Sequence, residues 1–213
     1  MKKTHIIKVA FASTVIALCT AANAQFGLPS LPGIGGSKNS APAEDPAALV
    51  ANVRNSMSSF VIAKIGLIEA MGGSDQVAAQ KQLIEGLKKG DAAASKEDLE
   101  TIVSLDKATN EMLAKKTAEN AKLDAQNKAA ASKAMLQYVS GLVSSKKVIN
   151  SISGLTKNPM ALGSNLGAVT YLAKEMPSVV SSGASTTSTL FTYLGANGVD
   201  ISEAKKAASD LGV

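Results

Sequence analysis

Residues 45–73 read DPAALVANVRNSMSSFVIAKIGLIEAMGG, and they decide the fold. Asp45 is a helix N-cap, and Pro46 stands at the first helical position, where its missing N–H would have found no partner anyway. Leu49, Val53, Met57, Phe60, Val61, Ile65 and Ile68 then recur at three- and four-residue spacing, which gathers them on one helical face. Gly72-Gly73 stops the helix. A single apolar face has to be buried against another element.

The rest of the chain supplies further helices as partners. A shorter one is expected from about Asp75, with Val77, Ile84 and Leu87 inward and Gly90 as its stop. Ser95-Lys96-Glu97-Asp98 is a start signal, and no proline follows until Pro159. If continuous, the helix over 96–153 would be roughly 85 Å long at 1.5 Å per residue. Leu99, Ile102, Leu105, Met112 and Leu123 are its inward candidates at first, then Met135, Leu136, Val139, Leu142 and Val143; a break within 122–131 is the alternative. Asn158-Pro159 predicts a new helix through Leu162, Leu166, Val169 and Leu172, and Pro177 is expected to separate it from another through Val180, Ala184, Thr187, Leu190 and Leu194. Asp200-Ile201-Ser202-Glu203 opens a last short helix ending near Leu211. Ser185 to Tyr193 is rich in β-branched residues but lacks alternating apolar spacing, so no strand is predicted. The expected fold is an all-α, elongated helical bundle of five or six helices with one long central helix, occupying residues 45–213.

Upstream lie two segments of other kinds. Residues 1–24 have the layout of a secretory signal peptide: Lys2, Lys3 and Lys8, an apolar run from Val9 to Leu18, and Ala22-Asn23-Ala24 as an A-x-A site, with cleavage expected after Ala24. The apolar run is shorter than the roughly 20 residues that span a bilayer. Residues 25–44, with Pro29, Pro32, Gly33, Gly35, Gly36 and Pro42, are expected to form a disordered linker. The leader has a bacterial look, so the destination expected is the periplasm of a Gram-negative cell or beyond.

Cleavage would remove both His5 and Cys19, the chain's one histidine and one cysteine. Without imidazole or thiol, Ser–His–Asp and Cys–His catalysis, structural zinc and di-metal bundles built on Glu-x-x-His are excluded in their usual forms. Ser-x-x-Lys occurs at Ser104–Lys107, Ser144–Lys147 and Ser202–Lys205 without the S-D-N and K-T-G elements that would give it meaning. Glu69 and Glu175 have apolar neighbours, the setting in which a carboxyl becomes a general acid, although helices routinely carry such residues at a core edge. No catalytic, cofactor-binding or metal-binding residue is therefore assigned.

The whole chain is +5, but the leader holds three lysines and no acid, which leaves 19 basic and 17 acidic residues after cleavage. A surplus that small, with six aromatics, does not support nucleic-acid binding. Between Asp124 and Glu175 every charge is a lysine (128, 133, 146, 147, 157 and 174), whereas acids cluster earlier, at Glu97, Asp98, Glu100, Asp106 and Glu111. The expectation is an exported, non-enzymatic helical structural or interaction protein of the cell envelope, acting on itself or an envelope protein. The alternative is a membrane-active or lipid-binding protein that uses 158–199 as an apolar hairpin, with Gly163 and Gly167 as its G-x-x-x-G, together with the lysines before it, and takes anionic lipid as partner.

Overall fold

Asp45 does cap the first helix, its carboxylate accepting from the Ala47 N–H at 3.1 Å. The computed structural model describes residues 45–89 and 94–211, and its elements there are helical. They are α1 (Pro46–Ala70), α2 (Ser74–Lys89), α3 (Lys96–Glu119), α4 (Ala125–Leu155), a 3-10 segment (Pro159–Asn165), α5 (Leu166–Ala196), α6 (Ser202–Ala208) and a 3-10 turn (Ser209–Leu211). The expected signal peptide and linker, and the stop at Gly90, lie outside the described residues.

Side-chain pairings give each helix its direction. Arg54 faces Asp98, Lys64 faces Asp106 and Gly73 faces Lys116, so α1 and α3 run parallel in constant register. Gly66 meets Ala134 while Phe60 meets Gly141, so α4 runs antiparallel to α1. Lys107 with Glu175 and Asn110 with Ser182 set α5 parallel to α3. The four long helices close a ring in the order α1, α3, α5, α4, with α3 and α4 at opposite corners. Helix α2 packs on α1 and α3 and returns the chain between them; α6 packs on α4.

Small residues set the spacing. A Cβ added at Gly141 would lie 3.2 Å from the Phe60 Cα, and one at Gly183 only 2.7 Å from a Leu142 methyl and 3.1 Å from the Phe60 ring. The fully buried Phe60 is thus seated between two glycines on two helices, and its ring lies 4.8 Å from that of Tyr138.

The structure decides one alternative and changes several expectations. The 96–153 stretch is two helices: α3 ends at Asn120 in the left-handed conformation (φ 49), and α4 restarts at Asp124, whose carboxylate accepts from the Asn127 N–H at 2.7 Å. This is the alternative expected: the interruption over Asn120–Asp124 overlaps the 122–131 window, and Asn120 tolerates the left-handed cap. The central helix is instead α1, 14 of whose 25 residues are buried. Nor does Pro177 divide the 158–199 region into a hairpin; it lies inside α5, exposed on the outer side. The cost of an interior proline, about 3 kcal/mol, is offset because Val169, Leu172 and Met176 before it and Val179, Thr187 and Leu190 after it bury the same face. Asn158-Pro159 starts a 3-10 segment, which Gly163 (φ 50) kinks before α5 begins. Gly163 and Gly167 form no helix crossing: no atom lies within 4 Å of a Cβ at the first, and the second meets the Lys96 stem at 3.8 Å.

The glycine seats predict opposite effects at two helical positions. Gly141→Val would push α1 and α4 apart and cost about 1–3 kcal/mol. Gly86→Ala, where nothing lies within 4 Å, should raise stability by about 0.5–1 kcal/mol. Urea unfolding of the two variants measures both; equal midpoints would contradict the packing described.

Candidate functional site

Perturbed chemistry is concentrated one turn from Phe60. Lys64, on the apolar face of α1, is 0 % exposed, and Asp106, on the matching turn of α3, is 1 % exposed. The ammonium donates to the Asp106 carboxylate at 2.5 Å and, more weakly, to its backbone carbonyl at 3.4 Å. It also lies 4.3 Å from the centre of the Phe60 ring, within range of a cation–π attraction.

The layer continues through the other two corners. Asn110 Nδ2 donates to the second Asp106 oxygen at 3.4 Å and to Ser182 Oγ on α5 at 3.2 Å. On α4, the buried Tyr138 hydroxyl donates to the Gly183 carbonyl at 2.8 Å, an oxygen that also accepts from Thr187 Oγ1. All four long helices are therefore tied at one level by polar contacts. Removal from water drives each group towards its neutral form. Burial pulls Lys64 down to about 8 against the counter-pull of Asp106, raises Asp106 against the pull of Lys64, and raises Tyr138. A lysine so placed would be a nucleophile if a substrate could touch it, but its surroundings are Phe60, Asp106 and packed helix faces. The arrangement does structural work: it fixes which turn of α3 meets which turn of α1.

The residues singled out in the sequence are scattered around this layer. Glu69, near the end of α1, pairs with Lys81 of α2 at 2.8 Å. Glu175, on α5 at the opposite corner of the ring, pairs with Lys107 at 3.2 Å and lies 3.9 Å from Lys174. The two carboxylates do not share a site. Each Ser-x-x-Lys is likewise divided: Lys107 serves Glu175, Ser144 donates to the Ser140 carbonyl, and Ser202 donates to Asp200 while Lys205 lies over Phe191. Sequence reasoning missed Lys64. Its signal was position, since it falls four residues after Phe60 and four before Ile68, inside the apolar stripe.

Two shallow grooves flank α4 and share Lys133. One, about 310 Å³, lies against α1 and is lined by Gly66, Glu69, Ala130 and Gln137. The other, about 370 Å³, lies against α6 and is lined by Ser132, Leu136, Asp200 and Glu203. Among the described residues, no group of three or more His, Cys, Asp or Glu side chains is placed to hold a metal ion, and no helix is long and apolar enough to cross a membrane.

No protein family, curated protein or solved structure matches the chain. The role of the Lys64–Asp106 pair therefore rests on its geometry, which makes two measurable demands. Lys64→Met strands a buried carboxylate and should cost about 3–5 kcal/mol. Adding Asp106→Leu should restore wild-type stability or exceed it; a single variant costing under about 1 kcal/mol would refute a buried pair. The second demand is a pH dependence. Folded Lys64 holds its proton less tightly than its ordinary 10.5, so its contribution is complete above that value and lost as pH falls through about 8. Tyr138 has the opposite sign and begins to subtract only above its ordinary 10.0. Between pH 8 and 10 the wild type should therefore gain stability relative to the double variant.

Proposed function

We propose that the chain is an exported, non-enzymatic helical interaction protein of the bacterial cell envelope, working through the outer faces of its bundle. The observation that carries this reading is where the perturbed groups lie. Lys64, Asp106 and Tyr138 are sealed in the core and occupied with one another or with backbone, so they serve the packing of α1, α3, α4 and α5. Export is supported by the Lys2 to Ala24 pattern in the sequence.

Partners would meet helix faces. The outer side of α5 presents Ser178, Ser181, Ser185, Ser188 and Thr189, all exposed, and α4 presents Lys133 between the two grooves. Uncharged hydroxyl and alanine surfaces permit close approach between helices, which suits self-association or docking of another envelope protein.

Cell fractionation followed by N-terminal sequencing tests the reading. The expected product starts at Gln25 in the envelope or medium, and crosslinking in intact cells gives a band larger than the monomer. A cytoplasmic product still carrying Met1 would overturn export. A monomer that crosslinks to nothing would overturn the interaction role.

A further inference from the structure

Charge is placed unevenly around the ring. Helix α4 bears Lys128, Lys133, Lys146 and Lys147 and no acid along 31 residues. Helix α6, which packs on α4, adds Lys205 and Lys206 against Glu203. These two helices together hold six lysines and one glutamate, with Asp124 capping α4 and Asp200 just before α6, while the remaining described residues hold twelve cations and twelve anions. Helix α3, the most acidic element, stands at the opposite corner, so its carboxylates cannot neutralise this side. Lys146 also donates to the Leu211 carbonyl at 3.1 Å, which fastens the 3-10 turn after α6 along α4 and keeps both helices on one side.

We infer that the α4–α6 side is a docking surface for an anionic bilayer, with lipid phosphates as the recognised groups. This adds a bilayer to the protein partners proposed above and rests on that reading for its setting. A bilayer is the occupant that fits, because it presents a continuous sheet of negative charge. The lysines are likewise spread along α4 and α6, and the grooves beside α4 are shallow. A juxtaposed lysine contributes on the order of 1 kcal/mol at such a surface, and the attraction falls away within a Debye length. Of the lipid-binding alternative this keeps the lysines of α4, adds those of α6 and dispenses with the hairpin over 158–199, so no helix need insert.

The test is flotation of the protein, as purified from cells, with vesicles of phosphatidylglycerol and phosphatidylcholine in equal parts, and with phosphatidylcholine alone, at about 50 mM salt. Binding is expected to the anionic vesicles only, and high salt should abolish it. Lys147→Gln with Lys206→Gln should weaken it about thirtyfold. Lys88→Gln with Lys115→Gln, the same charge change on α2 and α3, should leave it intact. Circular dichroism of both double variants checks that the bundle is unchanged. No flotation with the anionic vesicles, equal flotation with both kinds, or equal weakening by the two double variants would overturn the inference. Because the assay is done outside the cell, its failure leaves fractionation and crosslinking to judge the broader envelope role.

Discussion

A lysine and an aspartate buried together in an apolar core constrain everything else in this bundle. Apolar stripes of Ala, Val and Leu tolerate several registers, since sliding one helix past another by a turn exchanges one small contact for a similar one. The Lys64–Asp106 pair does not tolerate this. A slip of one turn, about 5.4 Å, would leave both charges in the core without partners, a penalty of several kcal/mol each. The pair is therefore a weak source of net stability and a strong source of specificity. Its neighbours fit that role: Phe60 offers the ammonium a ring face, and Asn110 carries the carboxylate's second oxygen towards α5.

Parallel packing of α1 on α3 has consequences for the chain path. Two consecutive parallel helices need a return segment, and α2 is that segment. It is amphipathic only narrowly, with Val77 and Ile84 buried and most of the rest exposed. The α3–α4 connection must then cross to the opposite corner. With neighbouring axes 8–10 Å apart the diagonal is about 13 Å, within reach of the five residues from Asn120 to Asp124. Helix α5 holds that crossing in place: Tyr193 donates to the Ala121 carbonyl at 2.8 Å, and Asn197 accepts from the Leu123 N–H at 3.2 Å.

Local signals in the sequence were legible where one residue type has one physical job. The cap at Asp45, the Ser95–Asp98 capping box and the Gly72 turn (φ 76) are where the sequence placed them. Most of the α1 stripe is core, and so are Leu99, Ile102, Met135, Val139 and Leu142. What could not be read was decided by tertiary contact. Pro177 looks like a helix breaker, yet continuous burial of one α5 face outweighs its cost. Leu113 is fully buried and Met112 only partly, because α3 turns its face to meet both α1 and α5. Lys64 and Asp106 each look like solvent-facing charges when taken alone. Only their common level in the folded ring makes burial of either one acceptable, and a spacing rule applied to one helix cannot detect a partner 42 residues away.

The same constraint accounts for the uneven outer surface. Helix α1 has two flanks available to long partners. Asp106 commits one to α3, and the Phe60–Gly141 crossing commits the other to α4. Those helices are thereby forced to opposite corners, although they are consecutive in sequence and oppositely charged. Had they been neighbours, the acids of α3 and the lysines of α4 would have met across a shared seam and cancelled. Held apart, Glu97, Glu100 and Glu111 face one side while Lys128 and Lys147 face another. Charge segregation on the surface is thus a consequence of the ion pair inside. Sequence order alone could not have revealed it, because it depends on which flank of α1 each helix occupies.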